Sequence, residues 1–289
     1  MVGLPWWQYV ISMSGFIIFL LLLIDFMRKH PKFTNLFWIA GLCTFPVWII
    51  GGGVVGWFRW SKTLSMLLPI VFLSICRIAH NEQKKGKMWG FIQKKNVIWF
   101  FYAILFLNIM EATIKDVTLG NYLNALCGFL LCVTIPFAPK FWGFTAEKPT
   151  DLVSYTTVSW NFIYTTWNAC FVFAESPKGF ASTCCILIAA ELYPIIKKRP
   201  ELYIISRVYT LAFLLLLKAC LPNVIPTLME SSSWYNSQVL YYWGLANFII
   251  IVPYVFWHTW QLHTGKCDVS FRRGKIDKIK IDKVEELKV

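Results

Sequence analysis

The chain has 289 residues, of which 57% are hydrophobic and only 15% are charged, and its formal net charge is +13. Soluble domains are typically about half apolar and about a quarter charged, so the composition excludes an ordinary soluble protein. A transmembrane β-barrel is also disfavoured, because barrel strands alternate apolar and polar residues whereas residues 15–24 are nearly all apolar. The sequence therefore predicts an all-α integral membrane protein, a polytopic bundle.

Long apolar runs divide the chain into predicted transmembrane helices. A helix needs about 20 predominantly apolar residues to cross the hydrocarbon layer. Runs of that kind predict nine spans, at residues 8–27, 36–57, 63–79, 97–114, 122–139, 152–174, 179–196, 201–221 and 238–262. Residues 1–263 then form one transmembrane helical domain, and residues 264–289 form a basic cytoplasmic tail. Because span 36–57 contains Pro46 and the Gly51–Gly53 run, it is either a kinked full span or a re-entrant segment.

The distribution of Lys and Arg predicts the orientation of the bundle. With nine spans, the loops on one side and the tail contain 21 Lys and Arg residues, while the loops on the other side contain 4. Cytoplasmic loops carry the Lys and Arg excess, so the N-terminus is predicted outside and the C-terminus in the cytoplasm. The basic residues are spread over every inner loop, which argues against a nucleic-acid partner. We expect a plasma membrane or a bacterial inner membrane.

Ionisable residues inside the predicted spans are candidate functional groups. A charge at the centre of a spanning helix costs about 2.5–3.5 kcal/mol on insertion scales, so it needs a partner or a polar cavity. Glu191 and Arg207 lie at similar depths on consecutive antiparallel spans, which predicts a salt bridge. The same reasoning joins Glu111 with Lys218 near the outer ends of their spans. Each pair has either a packing role or a role in binding a solute or ion.

The sixth span carries an unusual number of polar and aromatic residues. The pair Trp160-Asn161 recurs seven residues later as Trp167-Asn168, close to two helical turns. This spacing predicts a polar stripe of Thr157, Asn161, Thr165 and Asn168 beside an aromatic stripe of Trp160, Tyr164 and Trp167. Hydrogen bonding between helices is one explanation of the stripes. The other is a cavity wall that binds the polar and apolar parts of a solute.

Two later spans have polar faces of their own. Asn247, Tyr254, His258 and Gln261 share one face of the ninth span, and Arg207, Thr210 and Lys218 share one face of the eighth. Together with the sixth span they predict a central polar cavity. The predicted substrate-binding residues are Thr157, Trp160, Asn161, Tyr164, Trp167, Asn168, Asn247, Tyr254 and His258. The predicted intramembrane charges are Glu111, Glu191, Arg207 and Lys218.

The histidines allow a different interpretation. All four are predicted on the cytoplasmic side, at a depth similar to that of Asp25 and Glu191: they are His30, His80, His258 and His263. Such a cluster would suit a metal-dependent membrane hydrolase. However, His258 and His263 lie about 140° apart around a helix, and the chain has no HExxH motif. No metal ligand, catalytic residue or cofactor is therefore assigned. Asp25 and Arg77, near inner span ends, are expected simply to reach the lipid headgroups.

Two functional hypotheses follow from these patterns. The first is a transporter or permease for a small polar or amphipathic solute, coupled to ions or protons through Glu191 or Glu111 if it is coupled at all. The alternative is an intramembrane lipid-modifying enzyme of the metal-dependent hydrolase type. The expected partners are membrane lipid and a small-molecule solute. The sequence leaves open the substrate, the transport direction, the coupling ion and the oligomeric state. It has no GxSxG, P-loop or dinucleotide motif.

Overall fold

A computed structural model describes residues 4–138 and 141–263, which are mostly helical. The predicted tail at 264–289 lies outside this part of the chain. The elements are α1 Trp6–Lys29, α2 Pro31–Cys43, α3 Phe45–Ile50, α4 Trp57–Asn81, α5 Lys87–Ile92, α6 Val97–Thr118, α7 Tyr122–Val133, β1 Trp142–Phe144, β2 Leu152–Ser154, α8 Val158–Glu175, α9 Phe180–Lys197, α10 Tyr203–Cys220, α11 Val224–Met229 and α12 Ser237–His263. Short 3₁₀ turns precede α9 and α10 and lie between α11 and α12.

Six helices among the described residues are long and apolar enough to cross a membrane. They are α1, α4, α6, α9, α10 and α12, with α9 and α10 extended by their preceding 3₁₀ turns. The chain is therefore a membrane-embedded helical protein. Helices also occupy the other three predicted spans: the short α2 and α3 share span 36–57, α7 in span 122–139 has 12 residues, and α8 in span 152–174 has 18 residues but is not among the six. The total of nine spans consequently stays a prediction.

The second predicted span is broken rather than continuous. Helix α2 ends at Cys43, and α3 begins at Phe45 with Pro46 in its first turn. Proline has no backbone N–H to donate to the preceding turn, which explains a helix break at this point. At the end of the segment, a Cβ on Gly53 would lie 2.8 Å from the Lys218 carbonyl oxygen and closer still to that of Ala219. Only glycine allows this contact between the loop and α10.

Helices α9 and α10 form the centre of the bundle. The apolar windows of both helices are 67% buried inside the protein, compared with 17% for α1 and 22% for α12. Helix α10 packs against α9 and α4, while α12 packs against α7 and α8. Because apolar surface left uncovered by protein is compatible with lipid, α1 and α12 are suited to the periphery. The central position of α10 places its polar residues among other helices.

Close packing of α7 depends on one small residue. A Cβ on Gly128 would lie 2.7 Å from Trp167 Nε1 on α8 and even closer to Thr113 Oγ1 on α6. Small residues let helix backbones approach each other closely in membranes. Gly128 thus permits α7 to sit against both α6 and α8.

Strands β1 and β2 form a β-hairpin that packs against α4 and α10, and a buried ionic cluster holds it in place. Its strands pair antiparallel, and Asp151, next to β2, has a side chain that is 2% exposed. Asp151 accepts hydrogen bonds from Arg28 Nε and Nη2, at 3.1 and 2.5 Å, and from Arg77 Nη2 at 3.1 Å. Arg77 also donates to Tyr209 Oη and to the Thr150 carbonyl. The expectation that Arg77 reaches the headgroups is therefore wrong, because the hairpin supplies buried acceptors.

Asp25 likewise has protein partners. Its carboxylate accepts hydrogen bonds from Lys29 and Lys197 and from the Tyr193 hydroxyl, at 2.6, 2.6 and 2.9 Å. The nearby exposed pair of Lys32 and Glu82 is 2.8 Å apart, and the Lys32 ammonium lowers the pKa of Glu82. The Lys and Arg count predicts that all these helix ends lie on one side of the membrane, and the ion pairs between them show that they are close together. Which side is cytoplasmic stays a prediction.

Candidate solute-binding cavity

A cavity of about 190 Å³ lies among α4, α6, α8, α9 and α10. Trp142 and Leu152 of the hairpin contribute to one end, whereas Arg59, Lys62 and Lys218 contribute to the other. The walls between the two ends are mainly aliphatic and aromatic side chains. A cavity of this size has room for on the order of ten water-sized groups. It can therefore accommodate a small organic molecule, but a two-chain lipid is too large.

Arg207 is the main polar group deep in this cavity. It is only 5% exposed, and its Nη2 donates to Asn168 Oδ1 at 3.2 Å. Its guanidinium carbon lies 5.7 Å from the centre of the Tyr164 ring. Among the described residues, Arg207 Nε and Nη1 are buried without a hydrogen-bond acceptor. Buried polar groups are nearly always hydrogen-bonded, so two free nitrogens on one guanidinium are unusual.

The predicted salt bridge between Glu191 and Arg207 is absent from the described residues. The Glu191 carboxylate instead accepts a hydrogen bond from Thr165 Oγ1 at 2.9 Å. Arg207 bonds to Asn168, which lies about one turn further along the same helix. The partners of Glu191 and Arg207 on α8 are three residues apart, so the two charges lie at neighbouring levels of this helix without touching. However, polar side chains of α8 bind both groups and so take the place of the direct pair.

The second predicted pair, Glu111 with Lys218, is also wrong. Glu111 is bound by Lys62, whose Nζ lies 2.9 Å from Glu111 Oε2. Helices α4 and α6 are neighbours, so Lys62 on α4 lies close enough to Glu111 on α6 to bind it, whereas Lys218 is on α10. Arg59 lies 3.9 Å from Glu175. Among the described residues, Lys218 Nζ has no hydrogen-bond acceptor or salt-bridge partner.

Lys218 lies at the end of the cavity that Arg59 and Lys62 also line. A Cβ placed on Gly179 would lie 2.8 Å from Lys218 Nζ, so the ammonium packs directly against the start of α9. Sequence reasoning treated Arg59 and Lys62 only as loop charges, and it missed them as cavity residues. The sequence does not indicate that Arg59 and Lys62 lie near Lys218, because this proximity depends on how α4 packs against α10.

Helix α8 divides the predicted aromatic stripe between the cavity and the protein core. Trp160, Tyr164 and Trp167 stack in sequence, with centroid separations of 5.1 and 5.8 Å. Tyr164 lines the cavity together with Asn168. The two indoles do not line it, because each donates to a neighbouring segment: Trp160 Nε1 to Thr134 Oγ1, and Trp167 Nε1 to the Asn124 carbonyl. These indoles hold α8 in place.

The start of α8 serves the helix itself and its contact with α12. Thr157 caps α8 by accepting from the Trp160 backbone N–H, and its hydroxyl lies 3.1 Å from Tyr254 Oη. His258 stacks on Tyr254 with ring centroids 5.8 Å apart. Asn161 is 3% exposed, and its Oδ1 has no partner among the described residues. The cavity described above is not lined by Thr157, Asn161, Tyr254 or His258.

A chain of directed hydrogen bonds explains the position of Asn247. Thr166 Oγ1 donates to Asn247 Oδ1 at 2.6 Å, and Asn247 Nδ2 donates to Asn124 Oδ1 at 2.8 Å. Asn124 Nδ2 in turn donates to Asp116 Oδ2 at 2.7 Å, and Asn121 donates to the other carboxylate oxygen. This network joins α12, α8, α7 and α6. Asn247 therefore belongs to an interhelical polar network. This agrees with hydrogen bonding between helices, the first of the two explanations of the polar stripes, and not with a cavity wall.

The histidines do not form a cluster in the described part of the chain. No group of three or more His, Cys, Asp or Glu residues is placed there to hold a metal ion. The His30 ring packs against Phe26 at a 45° tilt and the His80 ring stacks on Phe144, so both rings contact aromatic neighbours. The side chain of His263 is outside the described part. The hydrolase hypothesis consequently gains no structural support.

Comparisons with protein-family models, with curated proteins and with solved structures found no match to this chain.

Proposed function

We propose that this protein is a transporter or permease for a small polar or amphipathic solute, and that the cavity among α4, α6, α8, α9 and α10 is its solute site. The observation that carries the proposal is Arg207, a buried cation in a cavity wall with two nitrogens that lack acceptors among the described residues. An uncompensated buried charge costs several kcal/mol. A protein retains such a cost most readily where a ligand relieves it.

The position of the cavity supports movement of a solute through the bundle. One end lies near Arg59, which is exposed, and Arg207 lies eleven residues before Lys218 along α10. At 1.5 Å per residue this is a depth of about 16 Å, roughly half of the hydrocarbon layer. The hairpin residues Trp142 and Leu152 line the opposite end. A site near mid-membrane is typical of alternating-access transporters.

Glu191 is the better candidate of the two predicted coupling residues. Its neighbour Arg207 is not within salt-bridge distance, so the carboxylate is held by the Thr165 hydroxyl alone among the described residues. Glu111 is instead neutralised by Lys62. A proton on Glu191 would remove a buried charge without breaking an ion pair. If transport is proton-coupled, Glu191→Gln should uncouple it while Glu111→Gln should not.

Reconstitution into liposomes tests the proposal. Liposomes are loaded with a defined mixture of amino acids, sugars, amines and short carboxylic acids, and the retained content is measured by mass spectrometry. At least one compound should escape faster from proteoliposomes than from empty liposomes. Leu215 lines the cavity, so Leu215→Trp should slow this escape. Leu22→Trp is the matched control, because Leu22 is 65% exposed on α1. Equal retention in all samples would refute the proposal.

A further inference from the structure

We infer that the cavity binds a compact amphipathic carboxylate, with its anionic group at Arg207 and its apolar body along the cavity wall. The inference names a substrate class and rests on the proposed function only for the location of the site. Three independent features carry it: the free donors of Arg207, the charge balance of the lining residues, and the size and polarity of the walls.

The free donors at Arg207 require acceptors. A guanidinium has five N–H groups and no acceptor of its own, and it binds carboxylates more strongly than neutral groups. Asn168 Oδ1 accepts a hydrogen bond from Arg207 Nη2, and the Tyr164 side chain also lies close to the guanidinium. Nε and Nη1 are enclosed by protein atoms and have no acceptor among the described residues, so the side chain must turn toward the cavity for a ligand to bind them. An alcohol or amide ligand could fill the same geometry, but it would leave the charge uncompensated. An anion supplies both the acceptors and the opposite charge.

The charge balance of the cavity also favours an anion. Its lining includes four cationic side chains and one carboxylate, Glu175. Two of the cations are matched, since Arg59 faces Glu175 and Lys62 binds Glu111. Arg207 and Lys218 are not matched by any salt bridge among the described residues. Because they lie eleven residues apart, about three turns, they share one face of α10. A cationic solute would meet two positive charges that have no salt-bridge partner among the described residues, although Glu191 and Glu175 act on them at longer range.

The walls limit the size and polarity of the ligand. The cavity is lined mainly by apolar and aromatic side chains, including Phe101, Tyr164 and Phe171. Room for on the order of ten water-sized groups excludes a phospholipid with two chains. A small inorganic anion would leave the apolar walls without contacts. A single short alkyl or aryl chain that ends in a carboxylate satisfies both the walls and the arginine.

Binding of 3-phenylpropanoate to the full chain in lipid nanodiscs tests the inference. Radiolabelled ligand is measured by equilibrium dialysis, with empty nanodiscs as the background for partition into lipid. Binding should be saturable, and 3-phenylpropan-1-ol and 3-phenylpropylamine should compete at least tenfold more weakly. Phenyl phosphate and inorganic phosphate are further competitors. If phenyl phosphate competes better than the carboxylate, or inorganic phosphate competes equally, the carboxylate assignment is wrong.

Variants connect any binding to the proposed site. Arg207→Gln should weaken binding by about tenfold or more, the loss expected for a hydrogen-bonded charged group. Arg199→Gln is the matched control, because Arg199 pairs with Glu201 outside the cavity. Leu215→Trp retains Arg207 and fills the cavity, so it should also abolish binding even if the Arg207 variant folds poorly. Unchanged binding in Leu215→Trp, or no saturable binding by the wild type, would overturn the inference.

Flux separates this inference from the proposed function. The same proteoliposomes are loaded with 3-phenylpropanoate or 3-phenylpropylamine at a pH where each is charged. Saturable binding of the carboxylate without any protein-dependent flux of the loaded compounds would retain the anion site and refute the transporter. Flux of amines or sugars without carboxylate binding would retain the transporter and refute the anion site.

Discussion

Replacement of Asp151 by Asn should destabilise the bundle strongly. Asp151 is the shared acceptor for Arg28 and Arg77, and the side chains of the three residues are 2%, 11% and 0% exposed. Hydrogen bonds to charged groups contribute about 1.5–3 kcal/mol each, but three bonds to one carboxylate are not additive. Removal of one partner of a buried ion pair costs about 3–5 kcal/mol. We expect a loss in that range for Asp151→Asn, since little solvent reaches the cluster.

Reversible unfolding in mixed detergent and SDS micelles, followed by tryptophan fluorescence, would measure this loss. Glu82→Gln is the matched control, because it also removes a carboxylate that pairs with a cation but does so at the surface. Its transition should lie close to that of the wild type. If Asp151→Asn unfolds at the same SDS fraction as Glu82→Gln, the cluster does not hold the hairpin in place.

A double variant refines the same reasoning. Arg77→Met combined with Asp151→Leu removes two of the three charges, but it leaves Arg28 without its carboxylate partner. Arg77 also donates to the carbonyls of Thr150, Met27 and Arg28, and these acceptors would lose their donor. The double variant should therefore recover only part of the stability lost in Asp151→Asn. Full recovery would mean that neither the carbonyl contacts nor the Arg28–Asp151 pair contributes to stability.

Three further predictions concern packing, polarity and orientation. Gly128→Ala should cost about 1–3 kcal/mol in the same unfolding assay because its Cβ would overpack the interface, whereas Gly15→Ala, with open space around it, should cost nothing. Asn124→Leu should also destabilise, by about 1–3 kcal/mol, because it leaves its buried hydrogen-bond partners unsatisfied; an unfolding midpoint equal to that of the wild type would contradict this. A reporter fused after residue 289 should be cytoplasmic while a cysteine introduced at Glu230 is labelled from outside; signals from the same side would contradict the nine-span topology.

Local sequence features determined the class of the protein and the location of its helices. Apolar runs of about 20 residues between polar breaks predict spanning helices, and a helix satisfies its backbone hydrogen bonds within the same segment. For this reason helices occur in all nine predicted segments. The distribution of charge also grouped helix ends correctly, since Asp25 meets Lys197 and Lys32 meets Glu82.

The sequence predicted only part of the candidate site. The polar character of α8 was visible in the sequence, and α8 does supply Tyr164 and Asn168 to the cavity. Helical periodicity placed Trp160 and Asn161 in neighbouring stripes, but it could not assign a stripe to a cavity or to a helix interface. That choice depends on the rotation of α8 against its neighbours.

Only the tertiary structure decided which charges meet. Lys62 binds Glu111, and Arg77 binds Asp151, although neither pair has a helical spacing along the chain. The order of helices around the bundle and the insertion of the hairpin bring these groups together. An ion pair forms between opposite charges that are close in space. The linear sequence indicates how deep a residue lies along its helix, but it does not indicate which helices are neighbours. For the same physical reason, Arg207 forms no salt bridge with a carboxylate in the part of the chain that the structure describes.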